Sequence, residues 1–453
     1  MTLKLTRMLE IENDFTSTNK YYLLAIENTD YNDLYKNHNE SYKTVGKCIL
    51  DEVIVRTAYN LNSKIINHEN LRFNAQNLLK KYGNHYSKSI DVIISKILFR
   101  TTYVVGEHSR SYYLNDVNLK KKVVVTSFSL DTKGKNVIKK LKKIRSNQDS
   151  QLKFLNKFFD PRKLKIDIDS IYKELKNQLE FNPEKAKYII RLNNALQFHQ
   201  GVYIFKYDKL KTQRLYSSFT MLKKEDRKLV TYDGKKLLEI DIKNSIPTLF
   251  SLLLTNSISI DYNILFNKYN KSLFKYILMF LERAKSIDIV EVQEFQRLCL
   301  AGHIYEDINL KYERRIYNRT SYENDFSADE SDYDIDTRKS TKIDFISMLF
   351  SKEDTYLDME IEFEDKFPSI ANFLYEIKKE NYEYLSHILF SIESEIMINL
   401  VARKFNNLNR GRVPLFTIHD CICTNEDNIS RLSDFMKEVL KRVTGHNIKL
   451  TVD

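Results

Sequence analysis

The chain has 453 residues, of which 42% are hydrophobic and 29% charged, with only 9 glycines and 5 prolines. This composition is ordinary for a soluble globular protein with a sizeable core, and it excludes collagen-like and largely disordered chains. The 72 Lys and Arg residues outnumber the 61 Asp and Glu residues, and the net charge of +11 favours a polyanionic partner such as nucleic acid.

The cysteines and the apolar runs indicate the cellular compartment. The four cysteines are too few and too scattered for a disulfide scaffold, and they form no CxxC pair for a zinc site. No apolar run reaches the ~20 residues of a membrane helix, and the first residues lack the apolar core of a secretory signal. We therefore expect a reduced, cytoplasmic protein that does not enter a membrane.

Residues 1–150 contain both helical and strand-like patterns. Apolar spacing predicts helices near 51–61 and 70–81, and β-branched residues predict strands near 103–106 and 122–130. Ten basic residues lie between Lys120 and Arg145. They are either a solvated basic helix face or a track for a phosphate backbone. We interpret 1–150 as an accessory region of open role, with nucleic-acid binding as one interpretation.

Two helices are predicted between residues 167 and 200. Asp169 or Ser170 is the expected N-cap of the first helix, and Asn182-Pro183 is the expected start of the second. The expected buried stripes hold Leu175, Leu179, Ile189, Leu192 and Leu196. Residues 151–200 would form a thumb-like or connecting helical element, followed by a main region at 201–453.

Polar residues follow Arg214 in the segment Gln213-Arg-Leu-Tyr-Ser-Ser, and Arg227 comes shortly after it. Such a cluster can line a nucleic-acid backbone. The segment 237–242 then predicts a buried strand that ends near Asp241, followed by a helix that starts around Ser245-Ile-Pro with Ser245 as its N-cap. Metals and phosphates bind at such strand ends, although an Asp that only caps the turn is the alternative.

Residues 322–336 hold seven acidic side chains and almost no apolar period, so we expect a surface loop rather than a metal site. The next segment predicts a helix that presents Arg338, Lys342 and Phe350 on one face. Two cations suit a triphosphate, and the aromatic ring suits stacking. A solvated basic helix with a core Phe is the alternative.

The segment 413–427 predicts a hairpin with His419-Asp420 at its tip. If its strands neighbour the strand of Asp241, two carboxylates come together as a two-metal phosphoryl-transfer site requires. We therefore expect the carboxylates of Asp241 and Asp420 to lie within ~5 Å of each other beside a basic cleft.

The order of these motifs resembles the family A polymerases, which include bacterial DNA polymerase I relatives and phage-type single-subunit RNA polymerases. The matching segments are Arg214-Leu-Tyr-Ser-Ser, Asp241-Ile-Lys-Asn-Ser, the Arg-x3-Lys helix with an aromatic eight residues later, and Ile418-His-Asp. The resemblance covers about residues 200–453. It implies an α+β right-hand polymerase with a small antiparallel palm sheet and helical fingers, plus the mixed N-terminal region.

The resemblance also implies a site with two Mg²⁺ ions, a primed DNA template and dNTP or rNTP substrates. Asp241 and Asp420 would hold the metals, with Lys342 as the third catalytic residue. Nucleotide binding falls to Arg338, Lys342, Phe350, Ser245 and Ile246, and nucleic-acid binding falls to Arg214, Arg227 and His419.

Several positions depart from the family pattern and keep alternatives open. DNA polymerases of the family usually carry Glu at the position of Ile246, Tyr at Phe350 and Gln at Phe390. Cys421 replaces Glu or Ser, and Gln213 replaces Gly. The main hypothesis is a small DNA-directed DNA polymerase that replicates DNA of a mobile element or phage. The alternatives are a single-subunit RNA polymerase or primase, a catalytically decayed nucleic-acid-binding protein, and an unrelated basic structural protein.

Overall fold

The computed structural model describes Phe15 and residues 19–63, 71–94, 96–101, 109–130, 135–136, 138–139, 150–267, 270–308 and 330–453. For residues 267 and 330–337 it describes the backbone alone. The predicted strand at 103–106 and residues 131–134, 137 and 140–145 of the basic run lie outside these ranges.

The described chain combines many helices with small antiparallel sheets. The strands are β1 (Lys20–Ile26), β2 (Leu98–Arg100), β3 (Tyr112–Leu114), β4 (Val123–Ser129), β5 (Leu164–Ile166), β6 (Phe205–Tyr207), β7 (Leu215–Ser217), β8 (Val230–Tyr232), β9 (Lys235–Ile242), β10 (Phe416–Ile418), β11 (Cys421–Asn425) and β12 (Leu450–Val452). The mixed helix-and-sheet class expected from the sequence is confirmed at this level.

The α-helices are α1 (Tyr31–Leu34), α2 (Glu40–Asn62), α3 (Ala75–Tyr82), α4 (Tyr86–Ile94), α5 (Asp116–Leu119), α6 (Lys153–Asn156), α7 (Ile168–Leu175), α8 (Ala186–His199), α9 (Lys224–Arg227), α10 (Ser245–Leu254), α11 (Lys271–Ala284), α12 (Ile289–Ala301), α13 (Glu330–Phe350), α14 (Leu357–Lys366), α15 (Pro368–Ser394), α16 (Lys404–Leu408) and α17 (Ile429–Thr444). Two π-helical segments occupy Asn263–Asn267 and Glu395–Arg403.

The chain divides into two compact units. The first consists of Met1–Gln148, Phe159–Phe205 and Ser217–Lys236, and the second of Asp149–Phe158, Lys206–Tyr216 and Leu237–Asp453. The structure therefore groups 159–205 and 217–236 with the N-terminal residues, whereas the sequence analysis treated 151–200 as a separate connecting element.

In the first unit, β1 pairs antiparallel with β4 and packs against α2. The helix α2 begins after Asn39, whose side chain accepts hydrogen bonds from the amides of Ser41 and Tyr42. Its residues Val53, Ile54 and Ala58 are fully buried, as the predicted helix at 51–61 requires. Burial of such side chains contributes roughly 1.5–3 kcal/mol each relative to exposure.

The second unit is built around a four-stranded antiparallel sheet in the order β10-β11-β9-β12. The hairpin of β10 and β11 is the one predicted from the sequence, and β9 contains the predicted strand at 237–242. Helices of this unit share an aromatic core in which ring centroids lie 4.9–5.9 Å apart. Its members are Phe250, Phe280, Phe295, Phe345, Phe363, Phe367 and Phe373.

One helical run, Pro368–Leu408, is long and apolar enough to cross a membrane by composition, a run that the sequence analysis overlooked. In the described structure, 67% of its apolar window is buried inside the protein. The core helix of a soluble protein passes the same test, so this run is weak evidence for a membrane span.

Three local predictions are wrong. The N-cap of α7 is Asp167, because its carboxylate accepts a hydrogen bond from the Ser170 amide, so neither Asp169 nor Ser170 caps the helix. Helix α8 begins at Ala186, because Asn182 forms a tight turn in which its side chain accepts from the Lys185 amide. Of the predicted loop at 322–336, residues 330–336 belong to α13, and acidic residues are favourable at a helix N-terminus; residues 322–329 lie outside the described ranges.

Candidate active site

Strand β9 places two carboxylates on one face of the sheet of the second unit. Ile240 and Ile242 are buried, with exposed fractions of 0% and 4%. Since side chains alternate along a strand, Glu239 and Asp241 project from the opposite face. In the next strand, Cys421 pairs with Asp241, and Cys423 pairs with Glu239.

The hairpin tip brings Asp420 beside Asp241. The backbone amide of Ile242 donates a hydrogen bond of 3.3 Å to the carbonyl oxygen of Asp420. The Asp241 side chain lies within hydrogen-bonding reach of the Asp420 carboxyl group. The structure therefore brings together two carboxyl groups that are 179 residues apart in sequence.

Burial raises the pKa of Asp420 above its ordinary value, although a backbone hydrogen bond, Lys342 and Arg214 act in the opposite direction. Both cations are therefore close enough to influence Asp420. Two partly buried carboxyl groups this close repel each other when both are ionised, and an added cation relieves that repulsion. The two carboxyl groups can bind a cation, and Lys342 and Arg214 can bind anions.

Arg338 lies one turn before Lys342 on helix α13. Its Nε forms an ion pair with Glu306, and its Nη2 donates 3.3 Å to the side-chain oxygen of Asn244. Its guanidinium also lies 5.4 Å from the centre of the Tyr305 ring. In this conformation Arg338 is held by the residue before α10, whereas Lys342, one turn later, acts on Asp420.

A third carboxylate, Glu393 on α15, completes the site. It is 1% exposed, and its Oε2 accepts a 3.0 Å hydrogen bond from Arg214 Nε. Its other oxygen accepts a 3.0 Å hydrogen bond from Ser245 Oγ. Burial raises the pKa of Glu393 to about 7; Arg214 lowers it, and Asp420 adds to the increase.

The sequence analysis missed the role of Glu393. The detectable signal is an acidic residue on the apolar stripe formed by Leu389, Ile392 and Ile396, since a buried Glu is rare without a partner. Ser245 was expected to be the N-cap of α10, but the N-cap is Asn244 in a left-handed conformation. The Ser245 hydroxyl instead donates to Glu393.

Arg214 stacks on the ring of Phe390, which in turn contacts Phe350. Its guanidinium carbon is 3.5 Å from the centre of the Phe390 ring, and Phe350 meets Phe390 edge-on at 5.1 Å. A planar guanidinium stacked on a ring and paired with a carboxylate has little conformational freedom. Arg214 is therefore oriented by Glu393 and Phe390 together.

The remaining predicted residues have mixed positions. His419 adopts a positive φ of 56° at the hairpin tip, and its ring lies 5.4 Å from Tyr216. Ile246 is partly buried in the first turn of α10. Arg227 belongs to the first unit, whereas Asp241 and Asp420 belong to the second, and its Nη1 donates a 2.9 Å hydrogen bond to the carbonyl of Leu222.

The carboxyl pair fits Mg²⁺ better than a softer metal. Within the described ranges, no group of three or more His, Cys, Asp and Glu side chains is arranged to hold a metal ion. Mg²⁺, however, often uses one or two carboxylates and completes its octahedron with waters and substrate phosphates. Asp241 and Asp420 supply hard oxygen donors of that kind.

Comparisons with known proteins give little similarity. No family model matches the chain, and no curated protein matches it. Among solved structures, the POL domain of Pol1 from M. smegmatis in complex with DNA primer-template and dNTP is similar at 10% identity, with a TM-score of 0.26. The similarity covers 91% of this chain and 65% of that chain, so this protein spans slightly under two thirds of that domain's length.

Proposed function

We propose that this protein is a template-directed nucleotidyltransferase that extends a primer on a DNA template. The observation that carries the proposal is the pair Asp241, on β9, and Asp420, in the turn before the adjacent strand β11. Their side chains lie within hydrogen-bonding reach, and Lys342 and Arg214 act on Asp420. Phosphoryl transfer depends mainly on positioning and on charge stabilisation, and this cluster supplies both signs of charge in one place.

In this proposal, Asp241 and Asp420 hold Mg²⁺. The bound metal would lower the pKa of a primer 3′-hydroxyl and neutralise charge on the triphosphate. The protein's own contribution is to fix the two carboxylates through the β9–β11 register and to shield them partly from solvent. The proposal includes two metal ions, the number that is expected from the sequence.

Lys342 would bind the triphosphate and supply a proton to the leaving pyrophosphate. Arg338 must exchange Glu306 for phosphate oxygens before it can bind a nucleotide, because its guanidinium is ion-paired in this conformation. Arg214, His419 and Phe350 would contact the primer end and the incoming nucleotide. The four-stranded sheet would serve as the palm, and the helices of residues 271–394 as the fingers.

The test is a primer-extension assay with the purified full chain. The protein is incubated with Mg²⁺ and either a primed or an unprimed DNA template, with dNTPs in one series and rNTPs in another. We expect Mg²⁺-dependent extension of the primed template with dNTPs, abolished by a chelator. Strong unprimed synthesis from rNTPs would replace the DNA polymerase proposal with a primase or RNA polymerase, and no synthesis in any series would contradict the proposed activity.

A further inference from the structure

A basic groove lies in the first unit, between helices α2 and α3. It encloses a volume of about 430 Å³. Among the described residues, four cationic side chains and one carboxylate line it, together with the amides of Asn74 and Asn77. The charged members are Arg56, Arg72, Lys80, Lys81 and Glu52. The phosphoryl-transfer site in the second unit uses none of these residues.

Glu52, the carboxylate among the described lining residues, is already bound. Its Oε1 accepts hydrogen bonds from Arg56 at 2.7 Å and from Lys81 at 2.8 Å, and its Oε2 accepts from the Tyr82 hydroxyl at 3.0 Å. Glu52 therefore holds two of the cations in place. Cations outnumber carboxylates four to one among the described lining residues, and this balance favours an anionic ligand.

Arg56 is also fixed on its other side. Its guanidinium carbon lies 4.1 Å from the centre of the Phe73 ring, and its Nη1 donates 2.9 Å to the carbonyl of Arg72. A guanidinium held by a ring, a carboxylate and a carbonyl loses little entropy when it binds a ligand. The cation is thus pre-organised rather than a freely moving surface side chain.

The groove follows helix α3. Asn77 and Lys81 lie four residues apart on one face of this helix, whose eight residues span about 12 Å. A second cavity of about 260 Å³ shares Phe73 and Leu78 with the groove, and Arg100, Arg110 and Asp91 also line it. Several cations in a groove and its adjoining cavity suit a series of phosphates better than a single anion.

We propose that this groove binds consecutive phosphate groups of a single nucleic-acid strand. The first unit would then hold a strand by its backbone, independently of sequence, since phosphate contacts carry no sequence information. The basic residues responsible lie on α2, α3 and the segment before α3. A free nucleoside triphosphate carries the same phosphate chemistry and is the competing source that the experiment separates.

The experiment measures binding of a fluorescent single-stranded DNA oligonucleotide to the full chain at several salt concentrations. The groove variant combines Arg72→Gln and Lys80→Gln, which leave the hydrogen bonds from Arg56, Lys81 and Tyr82 to Glu52 in place. The control combines Lys173→Gln and Lys187→Gln, which remove the same charge from exposed sites on α7 and α8 of the same unit. Binding at the second unit is common to both variants and cancels in the comparison.

We expect the groove variant to bind about tenfold more weakly, with a salt slope smaller by about 1.4, as the loss of two single-strand phosphate contacts predicts. The control should stay within about twofold of the unmodified protein. Equal losses in both variants would mean that bulk charge alone attracts the strand and would overturn the proposal, as would no loss in the groove variant.

Hydrogen–deuterium exchange of the unmodified protein keeps the test informative if the groove variant misfolds. We expect the oligonucleotide to protect residues 72–82, and dATP alone to leave them unprotected. Protection by dATP but not by the oligonucleotide would overturn the strand proposal in favour of a nucleotide site. Neither readout requires turnover, so a failure of primer extension leaves this proposal standing, and its failure leaves the proposed activity standing.

Discussion

Arg214 and Glu393 form a buried ion pair in the candidate active site, although 179 residues separate them in sequence. The Arg214 side chain is 13% exposed and that of Glu393 is 1% exposed. The same carboxylate accepts a hydrogen bond from Ser245, which begins the helix after Asp241. Glu393 thereby connects the arginine that acts on Asp420 with the segment that carries Asp241.

The first prediction concerns Glu393→Gln. The change keeps an acceptor for Ser245 but removes the charge that orients Arg214, and small misplacements of a positioning group cost up to about 100-fold in rate. Burial raises the pKa of Glu393 to about 7, so the ionised pair forms as the pH rises through that value. We therefore expect primer extension by the variant to match the unmodified protein near pH 6 and to fall about 10- to 100-fold below it at pH 8.

Glu395→Gln is the matched control, because Glu395 lies two residues further along and bonds to Asn399 instead of Arg214. It should leave the pH profile of primer extension unchanged. An equal rate deficit of Glu393→Gln at both pH values would show that the Glu393 charge does not control Arg214.

The second prediction compares two glycines with positive φ. A Cβ at Gly302 (φ +82°) would lie 2.7 Å from Lys243 Cε, whereas a Cβ at Gly445 (φ +75°) meets nothing within 4 Å. Both substitutions to Ala should cost about 1 kcal/mol of unfolding free energy from the backbone conformation, because the Lys243 side chain can move aside. Denaturant unfolding of both variants measures this cost.

Only Gly302→Ala displaces Lys243, which is two residues from Asp241. We expect this variant alone to lose primer-extension rate severalfold, with Gly445→Ala close to the unmodified protein. Equal rates in the two variants would show that the position of Lys243 does not matter to the site.

The third prediction concerns the stability of the first unit. Arg191 binds two carboxylates: Asp226, which is fully buried, and Glu174, whose side chain is 55% exposed. Asp226→Ala leaves the arginine buried without its close partner and should cost about 3–5 kcal/mol. Glu174→Ala removes a half-exposed carboxylate and leaves Arg191 bound to Asp226, so it should cost about 1 kcal/mol or less. Urea denaturation compares them, and similar losses would contradict this ranking.

The fourth prediction is a pH dependence of stability. Burial would raise the pKa of Glu52, but Lys81 and Arg56 outweigh it, so the pKa lies below the ordinary value of 4.5. The unfolded chain therefore binds more protons near pH 4, and the stability contributed by Glu52 is lost as the pH falls below about 4.5 through the folded-state pKa. Glu52→Gln should cost about 1.5–3 kcal/mol at pH 7 and less at acidic pH.

Unfolding measured at pH 7 and at pH 3.5 tests this difference. Glu40→Gln serves as the control, because Glu40 is exposed and pairs only with Lys43 in the described structure. A stability deficit of Glu52→Gln that stays constant between the two pH values would contradict the linkage.

The sequence predicts those parts of the site that depend on local pattern. The strand of Asp241, the hairpin of Asp420 and the helix of Lys342 each follow from apolar periodicity, and their elements are present. The partner of Arg214 does not follow, because Glu393 lies in an apolar helix that periodicity assigns to the core. The pairing exists only after the chain folds.

The sequence patterns also do not predict the helix boundaries or the irregular backbone conformations. Several polar residues compete to cap α7 and α8, and tertiary contacts decide among them. The π-helical turn Glu395–Arg403 follows α15 without a break, and an apolar period of 3.6 residues does not distinguish it from an α-helix. The left-handed conformation of Asn244 before α10 does not follow from periodicity either, since it concerns a single residue.

The central claim is that Asp241 and Asp420 form one catalytic carboxylate pair. The most direct test is the rate of primer extension by Asp241→Asn and Asp420→Asn, each of which keeps the side-chain shape and removes the charge. Asp434→Asn, on exposed α17 surface, is the control. We expect each site variant to lose on the order of a thousandfold in rate while retaining its fold and DNA binding, with the control unchanged. Extension by either site variant at the unmodified rate would contradict the claim.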